Sequence, residues 1–281
     1  MEASSSQRHE FGKPHMRLNG SRPLLDVCDL GKRFQGQSKD GDRWVVEGMS
    51  FALYEGEFVT LIGPSGSGKS TLLNMIAQID IPSNGEILFR GEVINDSRRS
   101  RPSPGCGGRI GYVMQDDNLL PWRTLRENVE YPLVVQGRLN SETRARVDEL
   151  IETVGLGGFE GYYPHQLSGG MRKRASIIRT LAYDPPVILM DEPFGALDAE
   201  SRLHIQSDLV KLWQRGEKTI LFVTHDINEA IALGDRTITL TKSPACVRGE
   251  HVIDIPRPRA LDSIVTAPQF PGLFSRIRAQ V

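Results

Sequence analysis

The chain has 281 residues, 39% of them hydrophobic and 25% charged, with a formal net charge of −1. This is the composition of a globular protein with a sizeable core, and its near-neutral charge offers no polyelectrolyte surface for nucleic acid. No apolar run approaches the roughly 20 residues that cross a bilayer, and three widely spaced cysteines (Cys28, Cys106 and Cys246) argue against a disulfide framework and suit a reducing compartment.

Residues 1–22 are polar and lack an apolar signal-like run, and are expected to form a flexible tail. Leu24–Val27 and the stretch from Trp44 to Leu53 have strand character, with a polar turn from Gly36 to Gly41 between them. This is antiparallel material. Phe34, in the loop entering it, is either a core aromatic or a ligand contact.

A third strand is expected at Phe58–Ile62 and a helix over Leu72–Ala77. Between them lies Gly63-Pro64-Ser65-Gly66-Ser67-Gly68-Lys69-Ser70-Thr71, a match to G-x-x-x-x-G-K-[ST]. Strand, glycine loop, Lys-Ser and helix together make a phosphate site. The glycines let successive N–H groups point at one anion, and the helix N-terminus adds partial positive charge. Lys69 supplies a full positive charge, and the Ser70 hydroxyl is placed to ligate Mg²⁺.

Pro82-Ser83-Asn84-Gly85 reads as a turn and Glu86–Phe89 as a short strand. Asn95 to Gly108 is expected to be a surface loop, and Arg109 to Met114 returns to strand character before Gln115. The helical stretch that follows, about 116–184, contains no good strand. Leu125–Val135 is broken at Pro132, Ser141–Val154 is capped by Ser141, and a basic helix after Leu167-Ser168-Gly169-Gly170-Met171 is capped by Ser168.

Pro186–Met190 is a buried-type strand ending in Asp191-Glu192. Parallel strands turn their carboxyl ends to the ligand crevice, the edge where the glycine loop lies. There Asp191 is suited to hold Mg²⁺ through water and Glu192 to polarise an attacking water, unless the pair is simply an exposed turn. Ala199–Trp213 is amphipathic. Thr219–Thr224 is another strand, ending at His225, which either touches a terminal phosphate or serves as a structural hydrogen-bonder. A short helix over Ile227–Leu233 and a strand over Arg236–Leu240 precede a weakly patterned appendage, residues 257–281.

Taken in order, these motifs make residues 24–255 resemble a nucleotide-binding cassette of the ABC transporter superfamily. The resemblance implies an α/β fold: a P-loop NTPase with a RecA-like parallel-sheet core, an antiparallel β subdomain and an inserted α-helical subdomain. The cassette would span residues 23–256. Phe34 would be the aromatic that stacks on adenine, and Gly63–Thr71 the Walker A loop, with amides from Gly66 to Ser70 on the β- and γ-phosphates. Gln115 would join Ser70 and Asp191 around Mg²⁺. Ser168, Gly169 and Gly170 would form the signature that binds ATP held by a second copy of the chain, Glu192 would activate water, Asp198 would belong to the D-loop, and His225 would hold the γ-phosphate. Met171 stands where Gln is usual, Phe34 where Tyr is commoner, and Gln78 where many relatives have Gly.

A single cassette with neither a tandem copy nor a long coiled coil is similar to importer subunits rather than to soluble ABC proteins of translation or repair. A P-loop kinase or GTPase would lack the signature. Asn118–Trp122, Thr124–Val129 and Leu167–Arg174 are similar to the nitrate/sulfonate/taurine group. This implies an ATPase on the cytoplasmic face of the inner membrane, partnered by integral-membrane permease subunits and, indirectly, a solute-binding protein, and no nucleic-acid partner.

Overall fold

The computed structural model describes residues 22–34, 43–98, 108–195, 199–216 and 218–281. The Gly36–Gly41 turn, Cys106, Asp198 and all but the last residue of the expected tail lie outside these.

In chain order, β1 (Leu25–Phe34) and β2 (Arg43–Leu53) precede β3 (Phe58–Ile62) and α1 (Lys69–Ile76). β4 (Asn84–Phe89) and β5 (Glu92–Asp96) return to β1 and complete an antiparallel sheet of order β2-β1-β4-β5. After β6 (Ile110–Val113) come α2 (Leu125–Val135), α3 (Ser141–Thr153) and α4 (Gly169–Ala182). The chain then runs through β7 (Val187–Asp191), α5 (Ala199–Gly216), β8 (Thr219–Thr224), α6 (Ile227–Leu233), β9 (Arg236–Leu240), β10 (Val247–Val252) and α7 (Phe270–Arg278). The second sheet has the order β10-β9-β3-β8-β7-β6, with β10 antiparallel at the edge and the other pairs parallel. This is an α/β P-loop NTPase fold.

The central strands are apolar throughout because both faces of their sheet are covered. In β7, Val187 and Leu189 face a core shared with α1 and the antiparallel sheet, whereas Ile188 and Met190 face one shared with α2, α3, α4 and α5. β8 divides the same way: Leu221 and Val223 on the first side, Ile220 and Phe222 on the second. A third cluster joins α6 to Phe270, Leu273 and Ile277 of α7, so the weakly patterned C-terminal residues carry a helix packed against α6.

Several local expectations change. Pro132 does not break α2; the helix runs through it. Proline removes one helical N–H, but α2 is secured by a capping box, with Thr124 N–H donating to Glu127 Oε2 at 2.8 Å and Glu127 N–H to Thr124 Oγ1 at 3.3 Å, and by the buried Leu125, Val129 and Leu133. The cap of α3 is Asn140, one residue before Ser141, and Asn140 Oδ1 accepts from Thr143 N–H at 2.9 Å.

Asn84 and Gly85 belong to β4 instead of a turn. Gly85 sits at φ 80° beside a bulge in the β1–β4 pairing, where a Cβ would lie 2.3 Å from the Asp29 carbonyl oxygen, so only glycine fits. The start of the expected 95–108 loop is the end of β5: Asn95 is buried and donates to the Met75 and Asp80 carbonyls, both at 2.8 Å. β10 had no counterpart in the sequence reading. Its side chains alternate between half-buried and exposed, which gives a weak apolar signal.

Candidate nucleotide site

The glycine loop leaves the carboxyl end of β3 and enters α1 at Gly68. Gly68 has φ 91°, and a Cβ there would meet Val45 Cγ1 at 2.8 Å and the Val45 carbonyl at 3.1 Å. The loop is thus pressed under β2, and no side chain caps α1. Its first amides are left without helical partners, as an anion site requires. Lys69 folds back over the loop, its Nζ donating to the carbonyls of Gly63 at 2.8 Å and Pro64 at 3.0 Å. Burial lowers the Lys69 pKa, an effect opposed by the nearby charges of Glu192 and Asp191.

β7 lies two strands from β3, with β8 between them, and delivers Asp191 to the same sheet edge. Asp191 is buried, and the hydroxyls of Ser70 and Tyr112 lie close enough to favour its charged form. Burial raises its pKa; the Ser70 hydroxyl opposes that, the Glu192 charge adds to it, and Lys69 and Tyr112 pull it back down. Tyr112 was not anticipated from the sequence. It pairs with Leu189, two residues before Asp191 and on the same sheet face, so only the β6–β7 register shows the link.

The next residue, Glu192, is held at φ 41°, in the left-handed region that costs a non-glycine residue about 1–2 kcal/mol. Its N–H donates to the Val223 carbonyl at 3.0 Å, and its Oε2 lies 3.0 Å from His225 Nδ1. An ionised carboxylate only accepts, so Nδ1 carries the proton and Nε2 is left for another partner. His225 is mostly exposed, at the end of β8 and just ahead of α6. The exposed-turn reading of Asp191-Glu192 therefore does not apply: Asp191 is buried, and Glu192 is tied to the neighbouring strand.

Phe34 ends β1 with 48% of its surface exposed, which removes the core-aromatic reading. It pairs with Arg43 at the open end of the β1–β2 pair, and Lys32 Nζ lies 5.3 Å from its ring centroid. Gln115 is exposed just past β6, and its side-chain amide makes no hydrogen bond among the described residues.

Ser168, Gly169 and Gly170 stand apart from this cluster. They form the N-terminus of α4, where Ser168 Oγ accepts from Met171 N–H at 3.3 Å. Among the described residues, no hydrogen bond joins them to Gly63–Thr71.

The ABC transporter family profile matches residues 46–195, from β2 through β7 to Gly195. The chain belongs to the ABC transporter family.

This cassette is 44% identical over 241 residues to an uncharacterized ABC transporter ATP-binding protein of Methanocaldococcus jannaschii, covering 85% of this chain and 86% of that protein. It is 40% identical over 239 residues to the aliphatic sulfonates import ATP-binding protein SsuB of Bacillus cereus, covering 85% and 90%. The bicarbonate transport ATP-binding protein CmpC of Synechocystis is 40% identical over 242 residues, which cover 85% of this chain but 35% of that longer protein. Among solved structures, a dimeric bacterial ABC transporter cassette is 36% identical with a TM-score of 0.72, covering 83% of this chain and all of that one. A dimeric post-hydrolysis cassette bound to ADP and phosphate is 34% identical with a TM-score of 0.71, with the same coverage. The cassette is an ABC-type ATPase, similar to ATP-binding subunits of sulfonate and bicarbonate transporters. No helix among the described residues is long and apolar enough to cross a membrane.

The donor set suits Mg²⁺. No group of three or more His, Cys, Asp or Glu side chains lies together among the described residues, as a protein-only metal cage would require. The buried Asp191 carboxylate and the Ser70 hydroxyl near it are instead hard oxygen donors beside the glycine loop. Magnesium shared with substrate phosphates is bound in this way.

Proposed function

We propose that this cassette energises an importer for a small anionic or nitrogen- or sulfur-containing solute, such as nitrate, a sulfonate or taurine, by ATP-driven closure of a two-fold dimer. The observation that carries the proposal is the division of the site. Lys69, Ser70, Asp191, Glu192 and His225 gather on one sheet edge, whereas the Ser168–Gly170 helix terminus is held away on the helical subdomain. A helix N-terminus with that sequence and no anion of its own matches a ligand brought by a second copy.

In this reading, Phe34 stacks on adenine. Amides of the Gly63-Pro64-Ser65-Gly66-Ser67-Gly68 loop and the Lys69 ammonium bind the β- and γ-phosphates, with Thr71 near the α-phosphate. Lys69 exchanges its bonds to the Gly63 and Pro64 carbonyls for phosphate oxygens. Ser70, Asp191 and Gln115 would hold Mg²⁺, which when bound supplies positive charge to the phosphate oxygens. Glu192 Oε accepts a proton from the attacking water as that water forms its bond to the γ-phosphorus and the bond to the β-phosphate oxygen breaks. With both ring protons present, His225 holds Glu192 through Nδ1–H and a γ-phosphate oxygen through Nε2–H. Ser168 and Gly170 of the partner copy, with Gly169 between them, complete the γ-phosphate cradle. ATP favours the closed pair because only that pair makes both sets of contacts, and hydrolysis removes them.

The helical subdomain, residues 116–184, passes the motion to integral-membrane permease subunits on the cytoplasmic face of the membrane, which a solute-binding protein would serve from the other side. The test is purification of the cassette with its membrane partner, followed by ATPase assays with nitrate, bicarbonate, sulfonates and taurine. Stimulation by one solute class, lost in Lys69→Ala, is expected. Absence of any integral-membrane partner would overturn the importer assignment.

A further inference from the structure

The signature helix is fastened to the segment carrying Gln115 by three basic side chains along one flank. Lys173, one turn into α4, is buried, and its Nζ donates to the Met114 carbonyl at 2.7 Å and the Gln115 carbonyl at 2.9 Å. Arg172 reaches both ways: its Nε donates to Asp117 Oδ2 at 2.9 Å, and another guanidinium nitrogen donates to the Leu167 carbonyl, just before the cap, at 2.8 Å. Two turns further along, Arg179 donates to the carbonyls of Asn118 at 2.7 Å and Asp117 at 3.0 Å. From the opposite side, the buried Asn128 holds Leu120 N–H at 2.7 Å and donates to the carbonyls of Leu120, Arg123 and Thr124. The Met114, Gln115, Asp117 and Asn118 carbonyls are thus claimed by α4, and those of Leu120, Arg123 and Thr124 by α2.

We propose that Lys173 is a positioning residue that locks the Gln115 segment to the helix bearing Ser168 and Gly170, so that these two parts of the ATP site move as one body. The proposal rests on the reading of the site given above. Arg172 and Arg179 hold the flanks of the segment, but only Lys173 takes the carbonyl of Gln115 itself. A short ammonium held by two carbonyls at the end of β6 leaves the Gln115 side chain free to turn toward a ligand while its backbone is fixed. Displacement of the loop by a docked partner then carries the N-terminus of α4 with it, because charge-assisted bonds resist stretching more than a neutral contact does.

The experiment uses the full chain with three substitutions: Lys173→Met, which keeps the stem without donors, Lys173→Gln, which keeps a donor without the charge, and Lys69→Ala as the nucleotide-site control. ATPase at saturating MgATP is measured alongside equilibrium ATP binding, and MgATP-induced dimerisation is read in a Glu192→Gln background. ATP binding in both Lys173 variants should stay within twofold of the parent, since the phosphate loop is untouched. Lys173→Met should lose about tenfold or more in kcat and in dimer affinity, the equivalent of one charge-assisted hydrogen bond. Lys173→Gln should lose less than Lys173→Met, because one donor remains. If Lys173→Met does not fold, Lys173→Gln decides. Parent-like kcat and dimer affinity in the folded Lys173 variants, with Lys69→Ala inactive, would overturn the lock. Activity persisting in Lys69→Ala would instead overturn the underlying site.

Discussion

Replacing Glu192 with glutamine changes one oxygen to an amide nitrogen and leaves the volume of the side chain unchanged. The backbone stays at φ 41°, held by the 3.0 Å bond from Glu192 N–H to the Val223 carbonyl. Among the described residues, the one side-chain bond at risk is the 3.0 Å contact with His225, between side chains that are 22% and 62% exposed. An exposed pair of this kind contributes at most about 1 kcal/mol, and a glutamine oxygen still accepts from Nδ1–H, so the fold should survive. Removal of a general base costs about 10²–10⁴ in rate, or about 3–5 kcal/mol on the barrier. Glu192→Gln should therefore retain ATP binding, release phosphate at least 100-fold more slowly, and accumulate as a dimer with MgATP on gel filtration. Phosphate release within threefold of the parent would refute the assignment of Glu192 as the base. A monomeric profile at saturating MgATP would refute the two-copy site.

Two further substitutions test the packing around the site. Gln78 is buried at φ 61°, and its Oε1 finds no donor among the described residues. Gln78→Gly should gain about 1 kcal/mol in urea denaturation, because relief of left-handed strain and of an unpaired acceptor outweighs the chain entropy of glycine, and a loss of that size would refute the strain argument. Arg259 caps the end of α6 by donating to the carbonyls of Ile231 at 2.9 Å and Gly234 at 2.5 Å, and it also holds the Ile255 carbonyl at 2.9 Å. Arg259→Ala should cost about 3 kcal/mol by leaving these carbonyls unpaired, and an unchanged thermal midpoint would show that the carbonyls find other partners.

The phosphate loop, the Asp191-Glu192 strand end and His225 are legible in the linear chain, because each is a short polar motif at the end of an apolar run. Buried parallel strands need both faces apolar, and their carboxyl ends collect the ligand groups, so run length and terminal residue were sufficient to find them. Ser168 was legible as a helix cap for the same local reason.

What escaped the sequence reading depends on partners far away in the chain. Pro132 breaks an isolated helix, yet α2 continues through it because its buried face and capping box outweigh one missing bond. Glycine at position 85 is demanded by a carbonyl from β1 that no local pattern announces. Phe34 is either core or ligand contact until the fold leaves it exposed at the end of β1. Lys173 looked like one charge in a basic helix; only the fold buries it against Met114 and Gln115. The sequence by itself determined which residues are candidates for phosphate chemistry, since motif and strand end are local. The tertiary structure alone decided how the pieces are braced against one another, since burial and long-range hydrogen bonds exist only once distant strands and helices meet.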